Sequence, residues 1–593
     1  MKERALIEEK YKWDLTKFCK TEEEFFQRLE KFDKFKDEIV KFEGKLSNNE
    51  ELLKCLKFET KVSIEAGILG VYAHLKLSQD VRDSKINEMN EKLEKIFTDY
   101  SIASSFVWVE ISEFSNERLT KLIHDPKFKD YERNFYLILR GKKHILSKKE
   151  EKLLSGMSFL GGFSDNFDKF DDGDLKFNKV KDSKGKDYEL THSSYRILAE
   201  SKDRILRENT FKEMNGAYGR YINFLSTNYI ADVKADCYFS KVKGYKSALD
   251  CAIFNEEASE KVYDMLIKKV HDNLDVFYDY MEIKRKLLGQ KTISISDSFA
   301  PITKKINKTY SYDEAIELIK NAVQPLGKEY QDLILRAKEE RWIDVYPNIG
   351  KDSGAYSTSA YGVTPVVLMN FKGDLDSVFT LAHELGHAMH SYFSMKHQKH
   401  ETADYVIFVA EVASTTNEML LLRYLLERAK TKDEKMFLYD KLFSEVKSTI
   451  FRQTMFSEFE EKVHDMYEKG EPLSKDKLCS LYFGLNKLYF GKKVKLFPEV
   501  KYEWARIPHF FRSFYVYKYA TGLVCALNFS KKLFNQEKNA REKYLKFLSS
   551  GSIDTPIKIL QDAGCNLEEE KAFNDVFDYL RAMIKIWEKS LKN

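Results

Sequence analysis

Proline and glycine are scarce, nine and 25 in 593 residues. The chain therefore lacks the punctuation that many short strands require, and long helices are the expected alternative. Its seven cysteines are odd in number, scattered, and include no Cys-x-x-Cys pair. That argues against a disulfide framework and against a thiolate metal site. No apolar h-region opens the sequence, and no uninterrupted apolar run is long enough to span a bilayer. Neither a signal peptide nor a membrane span is expected, and the expected location is the cytoplasm. An excess of one charge sign is also missing, because 98 Lys and Arg face 94 Asp and Glu for a formal charge of +4. The charges alternate, as in Lys31-Phe32-Asp33-Lys34, whereas nucleic-acid binding favours a segregated basic surface. Nucleic-acid and membrane partners are therefore not expected.

With 43 % hydrophobic and 32 % charged residues, the composition is that of a soluble globular protein, and the length exceeds one ordinary domain. Helical periodicity starts early. Thr21 and Glu24 suit a capping box, and Phe25, Leu29, Phe32, Phe35, Ile39 and Phe42 follow at intervals of three or four, with Gly44 as a stop. Such a stripe could line a ligand groove, but a buried helix face is the plainer reading. Residues 171–190 break the rhythm with Asp171-Asp172-Gly173-Asp174 and Asp182-Ser183-Lys184-Gly185-Lys186, which predicts a hairpin or loop. Helical spacing resumes near Tyr195, so a boundary is expected near 190–200. Further on, a Gly-containing stretch from Gly350 to Gly362 precedes Val363-Thr364-Pro365-Val366-Val367-Leu368-Met369-Asn370-Phe371. This reads as a strand, with Pro365 suited to an edge position.

Directly after that strand comes Leu381-Ala382-His383-Glu384-Leu385-Gly386-His387, a His-Glu-x-x-His pattern. On a helix, residues four apart lie one above the other, so His383 and His387 can converge on one ion, with Glu384 placed to polarise a water. Asp374 or Asp376 can cap that helix. Gly386 weakens it and needs another reason, such as close packing of a neighbouring element. A short motif of this kind also arises by chance on amphipathic helices, so a third ligand matters. Open catalytic zinc sites have three protein ligands, and His₂Glu is one known set. Glu411 lies among Val409, Ala410, Val412 and Ala413, where an unpaired carboxylate is costly and a cation removes the cost. Glu418, two turns on, could orient a ligand from behind. His390, His397 and His400 are alternative ligands.

These residues resemble the thimet oligopeptidase superfamily of metallopeptidases, and within it the oligoendopeptidase F family. The similarity rests on the His383–His387 motif with Glu411 24 residues beyond it, on Gly354-Ala355-Tyr356, on Val367-Leu368-Met369-Asn370-Phe371, and on the run from Pro508 to Gly522. The resemblance implies a mainly α-helical zincin-type peptidase that encloses a deep substrate channel, with a small β element beside the zinc helix. It implies a helical N-terminal region over 1–195 and a catalytic metallopeptidase domain over 196–593. It also implies one Zn²⁺ per chain on His383, His387 and Glu411, and short peptide substrates cut at internal bonds. Pairing of the substrate backbone with the 363–371 strand follows from it, with Gly354, Tyr356, Met369 and Asn370 as substrate-binding candidates. His509 and Tyr517 match the family's oxyanion donors, with Tyr515 a further candidate.

The expected chemistry is hydrolysis in which Glu384 takes a proton from the attacking water and returns it to the leaving amine. A peptidyl-dipeptidase or carboxypeptidase is the alternative within the same chemistry. Arg506 and Arg512, flanking His509, could read a terminal carboxylate. A non-catalytic zinc-containing peptide-binding protein is the alternative outside it. A monomer is expected, with an oligomer left open.

Overall fold

The structure, a computed structural model, describes residues 2–156, 161–303 and 308–592. The elements needed below are helices α1 (Glu22–Asp33), α2 (Asn49–Gln79), α3 (Leu375–His397), α4 (Ile407–Arg428), α5 (Arg452–Glu468) and α6 (Tyr517–Phe534). Long helices dominate, and the strands are two or three residues each. Those that matter here are β1 (Val180–Lys181), β2 (Asp187–Tyr188), β3 (Ile293–Ser294), β4 (Ile343–Asp344), β5 (Tyr356–Thr358), β6 (Val366–Leu368) and β7 (Val494–Lys495). The mainly α class expected from the scarcity of turn residues is what the chain adopts. Among the described residues, no helix is long and apolar enough to cross a membrane.

Contacts divide the chain into two compact units, each built from three segments. Unit 1 comprises Met1–Lys143, Asn307–Tyr424 and Phe529–Gly564; unit 2 comprises His144–Ile306, Leu425–Asn528 and Cys565–Asn593. The position expected for a linear boundary, near 195, falls inside a segment of unit 2. The physical reason is visible in the α1 stripe: Phe25, Leu29 and Phe32 are buried in one apolar cluster with Leu69 and Tyr72 of α2 and with Val366 and Leu368 of β6. The aromatic stripe is therefore core, and it fastens the start of the chain to a sheet more than 300 residues away.

Within unit 1, α1 begins where the Thr21 hydroxyl accepts the Glu24 N–H at 3.2 Å, while the Glu24 carboxylate takes the Lys20 N–H at 2.8 Å. The expected box is displaced by one donor but satisfies the same orphan amides. The sheet of this unit runs β4-β6-β5, with β4 parallel and β5 antiparallel to β6. The edge position expected for the Pro365 strand is thereby corrected. Pro365 precedes β6, takes no place in its ladder, and β6 is the central strand with all three residues buried. Strand β5 is an outer strand, and β6 is its one strand partner among the described residues.

Unit 2 contains the expected hairpin, with β1 pairing antiparallel to β2 across the Asp182–Lys186 turn. A parallel pair joins β3 to β7. Helix α5 and the start of α6 also belong to this unit.

Candidate active site

Helix α3 is capped by Asp374, whose carboxylate accepts the Ser377 N–H at 2.8 Å. Its apolar positions Val378, Leu381, Ala382, Leu385 and Met389 are fully buried. That burial fixes the rotation of the helix and turns His383 and His387 towards α4, while Glu384 meets the Ser357 backbone of β5. The role inferred for Gly386 is met: a Cβ there would lie 2.5 Å from Ser414 Cα and 2.9 Å from the Ala413 carbonyl oxygen. Backbone meets backbone at this crossing, and only glycine allows it. Asn417, fully buried on α4, strengthens the crossing by donating to the Ala382 carbonyl at 3.2 Å and accepting from Tyr330 at 3.0 Å. Sequence reasoning missed Asn417, although a polar amide in an apolar helix run is a usable signal.

This crossing brings three donor atoms together. His383 Nε2 lies 3.2 Å from His387 Nε2 and 3.3 Å from Glu411 Oε2, and the His387–Glu411 separation is 3.7 Å. Zinc bonds of about 2.0–2.1 Å at tetrahedral angles place ligand atoms about 3.3 Å apart. The residues therefore fit such an ion, and they form the one metal-sized group of this kind among the described residues. Two imidazole nitrogens 3.2 Å apart also need a cation or a proton between them. On the far side, His383 Nδ1 meets Glu418 Oε1 at 2.6 Å, which turns Nε2 inward. The ring of His387 is held by the Ala410 backbone. Glu411 is less enclosed than its apolar neighbours suggest, with 41 % of its side chain exposed. His390, His397 and His400 are elsewhere: His390 stacks on Tyr405 at 3.6 Å, and His397 bonds the Phe393 carbonyl.

The electrostatics follow from crowding. Burial pulls His383 down, but the Glu411 and Glu418 carboxylates outweigh it and raise the imidazole to about 10. His387 falls to about 4, through burial and then the charge on His383. A hydrogen bond from His383 holds Glu411 below the usual carboxylate range against its burial. Glu384, 6 % exposed, is pushed up to about 7 by burial and by the nearby acids, opposed by His383 and by the Ser357 backbone N–H.

The substrate-binding candidates are distributed unevenly. Gly354, at φ +92°, lies before β5 with open space where a Cβ would be. The Asn370 amide donates to the Asp352 and Gly354 carbonyls at 2.9 and 2.8 Å, so it shapes that turn. Met369 is 1 % exposed and presents no surface to a ligand. The Tyr356 ring packs into the core cluster and against His74. Strand β5, which sequence reasoning passed over, faces the site through the backbone of Ser357. Because β6 is paired on both sides, the expected pairing of a peptide backbone with the 363–371 strand finds no free edge there.

The remaining candidates belong to unit 2. Tyr517 is 1 % exposed, and its hydroxyl donates to Glu256 at 2.9 Å. The hydroxyl matched to the family's oxyanion donor is thus engaged with Glu256 within unit 2. His509, Tyr515 and Tyr519 are half-buried neighbours: His509 and Tyr515 rings lie 6.3 Å apart, and the Tyr519 hydroxyl is 3.5 Å from His509 Nε2. Burial and then the Arg512 charge lower His509 below the usual imidazole range, favouring the neutral ring.

Fold and site together define a large helical peptidase with a candidate metal centre. Residues 197–579 match the description of peptidase family M3, and residues 110–177 match that of oligopeptidase F. The oligopeptidase PepF of Bacillus subtilis is 35 % identical over 95 % of this chain and 85 % of its own length. The crystal structure of oligoendopeptidase-F from Enterococcus faecium is 29 % identical, with a TM-score of 0.72 over 96 % of this chain and 99 % of that one. A Chlamydophila abortus structure reaches a TM-score of 0.94 at 32 % identity over 99 % and 100 %. The chain belongs to peptidase family M3, in its oligoendopeptidase F branch.

Proposed function

We propose that this peptidase is a zinc-dependent endopeptidase that hydrolyses internal bonds of short peptides, with one zinc per chain on His383, His387 and Glu411. The observation that carries the reading is the triangle of donor atoms at 3.2, 3.3 and 3.7 Å with Glu384 beside it. A zinc ion held there would supply Lewis-acid activation of water and carbonyl. Glu384 takes the proton of the attacking water and delivers it to the leaving nitrogen. Glu418 keeps the His383 ring in register. The outer edge of β5 receives an extended peptide backbone, which favours short unfolded substrates. On the family resemblance, His509 is assigned to stabilising the developing oxyanion, and Tyr515 replaces Tyr517 as its partner because its hydroxyl is not buried.

Of the two arginines that could read a terminal carboxylate, Arg506 already pairs with Glu503 at 3.7 Å and lies 5.0 Å from the Tyr195 ring, whereas Arg512 is exposed, so an end-blocked substrate separates internal from terminal cleavage. A cytoplasmic monomer acting on peptides, with no nucleic-acid or membrane partner, completes the proposal. A quenched peptide blocked at both ends tests it. Cleavage is expected, lost with chelator and restored by zinc. Glu384→Gln should retain zinc and lose at least about 10³-fold in kcat. Wild-type turnover by that variant would remove Glu384 from the mechanism.

A further inference from the structure

Within unit 2, Tyr515 sits between two anchors that the proposed chemistry has not yet used. The first holds the backbone before it. Phe514 has φ +58°, a left-handed conformation rare for a bulky residue. Its N–H donates to the Glu460 carboxylate on α5 at 2.8 Å, and its ring lies 4.7 Å from that of His464, one turn further on α5. The Ser513 hydroxyl bonds the Asp236 carboxylate. These partners hold the chain through an inverted residue and set the direction in which Tyr515 leaves it.

The second anchor is a charge. Lys518 Nζ lies 4.2 Å from the centre of the Tyr515 ring. Only 7 % of the Lys518 side chain is exposed, and it is tethered to Glu256, which also accepts the Tyr517 hydroxyl. A buried lysine nitrogen held against an aromatic face restrains the ring and draws electron density from it. On a phenol, that withdrawal polarises the O–H bond and strengthens the hydroxyl as a donor.

We propose that Lys518, fixed by Glu256, is a positioning residue that orients and polarises Tyr515 for donation to the developing oxyanion. The inference rests on the reading of Tyr515 as that donor, and the test separates the two. Four variants of the full-length protein are compared by kcat and KM on a quenched peptide: Tyr515→Phe, Lys518→Met, Lys518→Arg, and the double variant Tyr515→Phe/Lys518→Met. Tyr515→Phe should lower kcat about 100-fold with KM nearly unchanged, the usual scale for one oxyanion donor. Lys518→Met should lower kcat about 10-fold, and Lys518→Arg, which keeps the charge over the ring, should stay within about threefold of wild type. In the Tyr515→Phe background, Lys518→Met should add less than about twofold, because it acts through the hydroxyl already removed.

A Lys518→Met loss of equal size in both backgrounds would overturn the proposal, as would normal kcat in Lys518→Met when Tyr515→Phe is impaired. Normal kcat in Tyr515→Phe is a different result, since it removes the donor reading and the inference with it. If Lys518→Met melts at markedly lower temperature, Glu256→Gln decides. It removes the tethering charge while leaving an acceptor for Tyr517, and a normal kcat in it would count against the proposal.

Discussion

Replacing Gly386 with alanine tests the geometry on which the metal site depends. The added Cβ would stand 2.5 Å from Ser414 Cα and 2.9 Å from both the Ala413 oxygen and the Ser414 nitrogen. Carbon atoms rest at about 3.5–4.0 Å, so α3 and α4 must separate by about 1 Å. All three atoms are backbone, so no rotamer relieves the clash and Ser414→Gly does not rescue it. Overpacking of this kind costs about 1–3 kcal/mol, and the better helix propensity of alanine returns about 1 kcal/mol. The net loss of stability should therefore be small, about 0–2 kcal/mol. The effect on the site should be larger. Glu411 lies one turn before Ser414, and metal–ligand distances tolerate only about 0.2 Å. Zinc affinity, measured by competition with a chromophoric chelator, should fall at least about 10-fold, a scale known from disturbed ligand support. Peptidase activity at limiting zinc should fall with it, and excess zinc should recover part of it. Wild-type affinity in a variant of wild-type stability would show that the helices do not approach this closely, and the account of the site would fail with them.

Three further outcomes are expected. Glu418→Gln leaves the His383 Nδ1 contact without its charge and should weaken zinc binding about 10–100-fold, measured with the same chelator; unchanged affinity would deny Glu418 that role. Tyr517→Phe should leave kcat within about threefold while costing about 1–2 kcal/mol in urea melts, because its hydroxyl bonds Glu256 in the core; a large loss of kcat at unchanged stability would return Tyr517 to the chemistry. Asp232 is raised to about 7 by burial and then by Asp236. A raised carboxyl favours folding while protonated, and that contribution is lost as pH rises from about 4 through 7. Asp232→Asn should thus gain on wild type between pH 5 and pH 8, by about 1–2 kcal/mol after solvent screening; a gain independent of pH would contradict the assignment.

Which parts of this site could be read in advance depended on whether local spacing or distant contact places them. His383 and His387 were legible because the helical repeat fixes a four-residue interval wherever the helix lies. Gly386 was legible for a related reason: a residue that weakens its own helix must be needed by a neighbour, and Ser414 is that neighbour. Strand β5 was not, because Tyr356–Thr358 is three residues long and too short to show a period. Nor could the sequence show that α1 and β6 share one core, since nothing local links Phe32 to Leu368.

The tyrosines make the same point more sharply. Tyr515, Tyr517 and Tyr519 recur at every second residue, and a pattern of that kind offers no basis for choosing among them. The structure separates them through Phe514, whose left-handed backbone redirects the chain just before α6. Glycine at that position would have announced the turn; phenylalanine conceals it, because its conformation is imposed by Glu460 and His464 from another helix. Tyr517 is then carried inward to Glu256, while Tyr515 stays half-buried beside His509 with Lys518 against its ring. On the proposed reading, the choice of donor is therefore a property of tertiary contacts made by residues that carry no chemistry of their own. Substitutions at Glu460 or Lys518 should accordingly disturb turnover more than their distance in sequence from the His383–His387 motif would suggest.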